Sequence, residues 1–163
     1  MYWLVIAVVI IVAAAIAWGL KGGDATTIPP DERIEVEELE EYLAAQGVDL
    51  DSTQNPDPAI LQPHIASDDE LLGAIEGRRD GKSAYLVALP DRLVAGEATL
   101  GTMGAEVRTL RFADIDSFDQ SYEIGGEFHL QVGPEKLSYT HIPRSRTREF
   151  AELARQRIAA NQN

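Results

Sequence analysis

The sequence predicts a mostly-β α+β fold, in which a seven-stranded antiparallel barrel or sandwich is capped by a C-terminal helix. One transmembrane helix and an acidic helical spacer are predicted to precede it. Three observations lead to this class. Residues 2–20 are apolar without a charge, short apolar segments separated by turn residues fill residues 70–142, and an amphipathic helical pattern covers residues 144–160.

The apolar run at residues 2–20 has the length of a membrane-spanning helix. At 1.5 Å per residue it would be about 28 Å long, close to the bilayer hydrocarbon thickness of about 30 Å. Trp3 and Trp18 lie near its ends, where indole rings favour the headgroup region. A cleaved signal peptide would need basic residues before the apolar core, and none is present. We therefore predict an uncleaved, single-pass anchor in the cell membrane.

The orientation of this anchor depends on one side chain. Lys21 is the only basic residue close to the apolar run, and it follows the run rather than preceding it. Because positive charge favours the cytoplasmic side, the rest of the chain is expected in the cytoplasm.

Residues 21–68 are predicted to be an acidic linker that contains a helix at about residues 31–46. Between residues 31 and 69 the sequence has twelve acids and one base, a net charge of −11. Leu39 and Leu43 share one face of the helix. An anionic bilayer would repel this segment, so it should extend away from lipid or dock on a basic surface. A helix whose charges are simply solvated is the alternative.

The segment GRRDGKS, residues 77–83, superficially matches a phosphate-binding loop. Such a loop needs four residues between its first Gly and its Gly-Lys pair, whereas three are present here. It should also open a helix, but the β-rich run AYLVAL follows. The dipeptide at 80–81, Asp-Gly, lies between two apolar runs and instead indicates a type I′ hairpin turn.

Three bases, Arg78, Arg79 and Lys82, are expected at the tip of this hairpin. They form the candidate binding site for an anion or a lipid headgroup. The alternative is an ordinary solvated turn, because charged residues often flank exposed loops.

The predicted C-terminal helix carries a second basic group. Residues 142–163 have five bases and two acids, and Arg144, Arg148 and Arg155 fall on one face of the helix. This face is a candidate surface for a protein partner, or for a clasp with the acidic helix of the linker. Exposed ion pairs contribute only about 0–1 kcal/mol each, so a clasp would be sensitive to salt. The alternative is that both helical faces are solvated.

Three stretches resemble the bacterial YokE-like pleckstrin-homology (PH) family. They are YLVALPDRLVA at 85–95, LRFADIDSFD at 110–119 and HIPRSRTREFAELARQRI at 141–158, and the resemblance covers about residues 69–160. It implies a PH-like domain of seven strands and one helix, acting as an interaction module. In eukaryotic PH domains the first loop binds inositol phosphates, so the resemblance also implies the headgroup hypothesis for the hairpin tip.

Composition excludes several classes of function. The net charge of −13 disfavours nucleic acid as a partner, and the absence of Cys excludes thiol catalysis and zinc–thiolate sites. No histidine pair has metal-ligand spacing, and no Ser lies in a G-x-S-x-G motif. We expect no catalytic residue, metal or cofactor. The predicted function is a membrane-anchored, non-catalytic module that recruits a protein partner, with binding of an anionic lipid headgroup as the alternative.

Overall fold

The computed structural model describes residues 27–51, 54–99, 104–123 and 125–162. The predicted membrane helix at 2–20 lies outside these ranges, and no helix within them is both long enough and apolar enough to cross a membrane. The helices and strands are, in chain order, α1 (Val36–Ala45), β1 (Gly73–Arg79), β2 (Lys82–Ala88), β3 (Arg92–Ala98), β4 (Ala105–Arg111), β5 (Ser117–Ser121), β6 (Gly126–Val132), β7 (Glu135–Ile142) and α2 (Arg144–Asn161).

Seven antiparallel strands followed by a C-terminal helix confirm the predicted element order. The strands form one sheet in the order β4-β3-β2-β1-β7-β6-β5. Of the predicted barrel or sandwich, barrel closure is wrong, because the sheet is open, with β4 at one edge and β5 at the other. Strand periodicity specifies which face of a strand is buried, but it carries no information on whether the two edge strands, β4 and β5, pair with each other.

The inner face of the sheet packs against α2 and contains the main core. Phe150, Ala151 and Ala154 of the helix are buried against strand residues that include Phe128 and Tyr139. Phe128 and Phe150 stack with their ring centroids 5.7 Å apart. The helix thus buries the apolar face that its sequence pattern predicted.

The outer face of β1–β3 is covered by residues that precede the strands. Helix α1 and a 3₁₀ segment at Pro58–His64 lie on it. Leu39, Leu43 and Leu61 are fully buried there, against strand residues such as Tyr85. The acidic segment that we interpreted as a linker therefore contributes a second apolar layer to the folded unit.

The first hairpin forms as the Asp-Gly signal predicted. Asp80 and Gly81 have φ values of 52° and 77°, and Arg79 pairs with Lys82 across the turn. Positive φ at both central residues is what a type I′ turn requires, and Gly81 adopts it without a steric cost.

Gly126, at the start of β6, allows α2 to approach the sheet closely. A Cβ at this position would lie 1.8 Å from Oγ1 of Thr147 and 2.9 Å from the carbonyl oxygen of Ile142. Gly126→Ala is therefore expected to lower the free energy of unfolding by about 2 kcal/mol through overpacking. Urea denaturation would measure the loss, and adding Thr147→Ala should recover part of it. An unchanged midpoint for Gly126→Ala would contradict this packing.

Candidate functional site

The three bases of the hairpin tip do not come together. Arg78 pairs with Ser83 on the outer face of the hairpin, where both side chains line a polar cleft. Arg79 pairs with Lys82, and both therefore lie on the inner face. The sequence placed all three at one tip, but the alternation of side chains along each strand separates them.

Arg79 belongs to an ion-pair network beside the turn of the first hairpin. We call this end of the sheet its open end. Its guanidinium donates to Oε2 of Glu97 at 2.5 Å, and the buried hydroxyl of Tyr139 donates to Oε1 of the same carboxylate at 2.8 Å. Arg108 lies 3.8 Å from Glu97 and donates to Glu135 at 3.1 Å. The Arg108–Glu135 pair joins β4 to β7, although three strands lie between them in the sheet.

Two members of the network, Arg79 and Tyr139, have shifted pKa values. Burial opposes the charged form of Arg79, but the hydrogen bond to Glu97 and the charge of Glu97 outweigh burial and raise the pKa of Arg79. Burial raises the pKa of Tyr139, and the neighbouring Glu97 raises it further. Two arginines thus face two glutamates, so the open end carries little net charge with which to attract an anion.

The basic face of α2 lies along the edge strand β5. Arg144 donates to the carbonyl oxygen of Tyr122, just after the strand, at 3.3 Å. The guanidinium of Arg155 lies over the ring of Phe118, 5.8 Å from its centroid. Gln162 donates to the carbonyl oxygen of Ile115, just before the strand, at 2.7 Å. Helix α2 therefore runs antiparallel to β5 and follows its whole length.

This arrangement leaves a basic side chain and an aromatic side chain exposed beside β5. Arg148 is exposed and lies one helical turn from Arg144, within 3.9 Å of Glu152. Oε1 of Gln120, in β5, is buried without a hydrogen-bond partner. Tyr122 is 40% exposed, and among the described residues no other large hydrophobic side chain is exposed. The surface along β5 and α2, which we call the groove between β5 and α2, thus combines a strand edge, cationic side chains and an exposed aromatic ring.

Contact between the acidic and basic helices takes a form that the sequence did not predict. Arg146 donates to Oε1 of Gln46 at the end of α1. Within the described ranges, no ion pair links a glutamate of α1 to an arginine of α2. Arg144, Arg148 and Arg155 lie toward β5, so the role of partner surface stays open to them. The sequence does not predict the contact of Arg146 with Gln46, because this contact depends on where α1 docks.

Titratable side chains in the described part of the chain do not converge on a metal site. No group of three or more His, Asp or Glu residues is arranged there to hold an ion. His129 contacts Ser138 and Glu127 within the sheet, and His64 is the last residue of the 3₁₀ segment. Burial lowers the pKa of His64, and the charges of Arg33 and Arg92 lower it further.

No protein-family model and no curated protein matches this chain. Among solved structures it is similar to the N-terminally truncated linker-DH/PH domains of p115-RhoGEF, with 13% identity and a TM-score of 0.47. It is also similar to the DH/PH fragment of PDZRHOGEF in complex with human RhoA, with 14% identity and a TM-score of 0.47. Each match covers 77% of this chain, which spans about two fifths of the length of those chains (40% and 39%).

Proposed function

We propose that this chain is a non-catalytic interaction module, anchored in the cell membrane by residues 2–20, that recruits a protein partner through the groove between β5 and α2. The domain is proposed to face the cytoplasm. The observation that carries the proposal is the position of β5, which ends the sheet while a cationic helix runs beside it. An extended segment of a partner would add to this edge as a further strand.

The chemistry of the groove favours an acidic partner segment. Arg144, Arg148 and Arg155 are all exposed and follow the strand edge on the helix side. Main-chain hydrogen bonds along β5 would supply affinity for any extended peptide, whereas these arginines would select for carboxylates. Tyr122 would pack against one of the apolar side chains of the partner.

Headgroup binding at the hairpin tip has less support. Arg79 is already hydrogen-bonded to Glu97, and Arg78 lies on the opposite face of the hairpin beside Glu76. An anion at the tip would have to compete with these carboxylates for the guanidinium groups.

Site-specific photo-crosslinking of the full chain in native membranes tests the groove. A photoreactive side chain at Asp119 in β5 is expected to capture a partner, whereas the same side chain at Glu106 in β4, the opposite edge, is not. Both positions are exposed, and both strands are edge strands of the sheet. Equal capture at the two edges, or capture at β4 alone, would contradict the proposed groove.

Charge reversal tests the arginines. The triple substitution Arg144→Glu, Arg148→Glu and Arg155→Glu is expected to weaken partner capture about 10- to 100-fold, since exposed ion pairs contribute up to about 1 kcal/mol each. A control that reverses Arg78, Lys82 and Lys136 changes the net charge equally and should leave capture intact. If the control lost binding to anionic vesicles and to the partner while the triple variant kept both, the hairpin tip would replace the groove.

A further inference from the structure

A small cleft, which we call the α1–α2 cleft, lies between the end of α1, the start of β1 and one face of α2. Its volume is about 230 Å³, below the roughly 300–1,000 Å³ of sites for drug-sized ligands, so its ligand must be small. Leu72, just before β1, and Phe150 and Leu153 of α2 give the cleft an apolar wall. Gln46, at the end of α1, adds a polar group beside this wall. An apolar wall with a few polar groups is the usual composition of a ligand site.

Arg146 lines this cleft and carries a positive charge that no carboxylate balances. Its Nη2 donates to Oε1 of Gln46, which is an uncharged amide, and its Nε is buried without a hydrogen-bond partner. Within the described ranges, Arg146 makes no ion pair. A half-buried guanidinium usually has a carboxylate partner, because taking a charge out of water costs free energy. The wall of the cleft therefore favours a ligand that brings a carboxylate to Arg146.

Glu149 supplies the opposite charge in the same cleft. It is exposed and lies three residues after Arg146 on α2, a spacing at which an acid and a base often pair. In the part of the chain that the structure describes, Glu149 makes no ion pair with Arg146 or with any other base. Glu152 also lines the cleft, but it already lies 3.9 Å from Arg148. The cleft thus presents one cation and one anion that are not paired with each other.

The charges and the apolar wall together select the kind of ligand. Glu149 and Glu152 would repel a simple anion, and Arg146 would repel a simple cation. A molecule that has both a carboxylate and an ammonium group avoids both penalties, because each of its charges meets the opposite charge. Leu72 and Leu153 are only partly buried, so they leave apolar surface on which a ligand side chain can pack. The cleft therefore suits a small zwitterion with an apolar body.

We propose that the α1–α2 cleft binds a free α-amino acid with an apolar side chain, such as leucine. Arg146 donates to its carboxylate, Glu149 accepts from its ammonium group, and the apolar side chain packs on Leu72 and Leu153. The three arginines of the groove between β5 and α2 are not part of this lining. The site is therefore independent of the proposed partner groove and adds a small-molecule ligand to the module.

Calorimetric titration of the full chain in detergent with L-leucine tests the proposal, and saturable binding is expected. Two analogues of leucine separate its charges. Leucinamide lacks the carboxylate and isocaproate lacks the ammonium group, so each should bind about tenfold more weakly than leucine. Free glycine keeps both charges but has no side chain, and it should bind several-fold more weakly because it cannot use the apolar wall.

Substitutions in the chain test the same contacts from the protein side. Arg146→Met and Glu149→Gln should each weaken leucine binding about tenfold, since each removes one charge-assisted contact. Glu41→Gln and Lys136→Met remove exposed charges outside the cleft and should leave binding unchanged. Thermal unfolding identifies any loss of fold in Arg146→Met, which also loses the contact with Gln46. Glu149→Gln changes only an exposed carboxylate and keeps the test valid if Arg146→Met unfolds.

Three outcomes would overturn the proposal. The first is the absence of saturable leucine binding to the unmodified chain. The second is equal binding of leucine and isocaproate, or of leucine and leucinamide, which would mean that the cleft does not recognise a zwitterion. The third is leucine binding that Glu149→Gln leaves unchanged, which would place the ligand elsewhere on the chain.

Discussion

A fragment that begins at residue 69 is expected to unfold, whereas a fragment of residues 27–163 is expected to stay folded. The segment before β1 supplies six apolar side chains that are at most 6% exposed, namely Ile34, Leu39, Leu43, Val48, Leu61 and Ile65. Burying each contributes roughly 1.5–3 kcal/mol, so their sum is on the order of 10 kcal/mol. The total stability of a domain is about 5–15 kcal/mol, so losing this layer would remove most of it.

Circular dichroism with urea denaturation compares the two fragments directly. The longer fragment should unfold in one cooperative transition, and the shorter one should show none or should aggregate through the exposed outer face of β1–β3. Limited proteolysis gives a second measurement, with rapid cleavage of the shorter fragment only. Cooperative unfolding of residues 69–163 at a similar midpoint would show that the outer layer is dispensable.

Glu97→Ala is expected to lower the free energy of unfolding by about 3 kcal/mol. This carboxylate is 8% exposed and accepts hydrogen bonds from both Arg79 and Tyr139. Its removal would leave a largely buried guanidinium and a buried phenol without their acceptor, and breaking a buried pair on one side costs about 3–5 kcal/mol. Part of the loss is offset because Arg79 keeps a contact with Glu135 at 3.5 Å.

Glu135→Ala is the matched control for this experiment. Its side chain is 45% exposed and pairs with the same arginines, so its loss should cost less than about 1 kcal/mol. Urea midpoints of the two variants, measured at equal ionic strength, give the comparison. Similar destabilisation by both variants would mean that the network is solvated and that Glu97 is not its centre.

The same network links strands that are not neighbours in the open sheet. Backbone hydrogen bonds stop at β4 and β5, but Arg108 and Glu135 bring β4 close to β7 at the open end. Side-chain ion pairs there take the place of a further row of strand pairing.

The local elements of this protein could be predicted from its sequence. The Asp80–Gly81 turn, the strand count and the helix at 144–161 follow from turn chemistry and from the spacing of apolar residues, which act over a few positions. The basic face of α2 was also predicted, because residues 144, 148 and 155 share a face in any regular helix.

The relations between distant elements could not be predicted in the same way. The sequence predicts α1 only as part of an acidic linker, because its four glutamates outnumber the two leucines that the structure buries fully. The three bases of the hairpin tip are expected from the sequence to form one cluster. In the structure Arg79 instead donates to Glu97 on β3, 18 residues away. The buried hydroxyl of Tyr85 has no hydrogen-bond partner. The sequence does not predict this, because a buried tyrosine usually finds a partner.

The sequence by itself determined the turns, the strands, the amphipathic helices and the sign of charge on each helix, because these depend on neighbouring residues along the chain. The tertiary structure alone decided that the sheet stays open, that α1 covers its outer face, and that Arg79 of β1 is hydrogen-bonded to Glu97 of β3. Those outcomes depend on contacts between groups that are far apart in the sequence. A buried polar or charged group is stable only where another part of the fold supplies its hydrogen-bond partner.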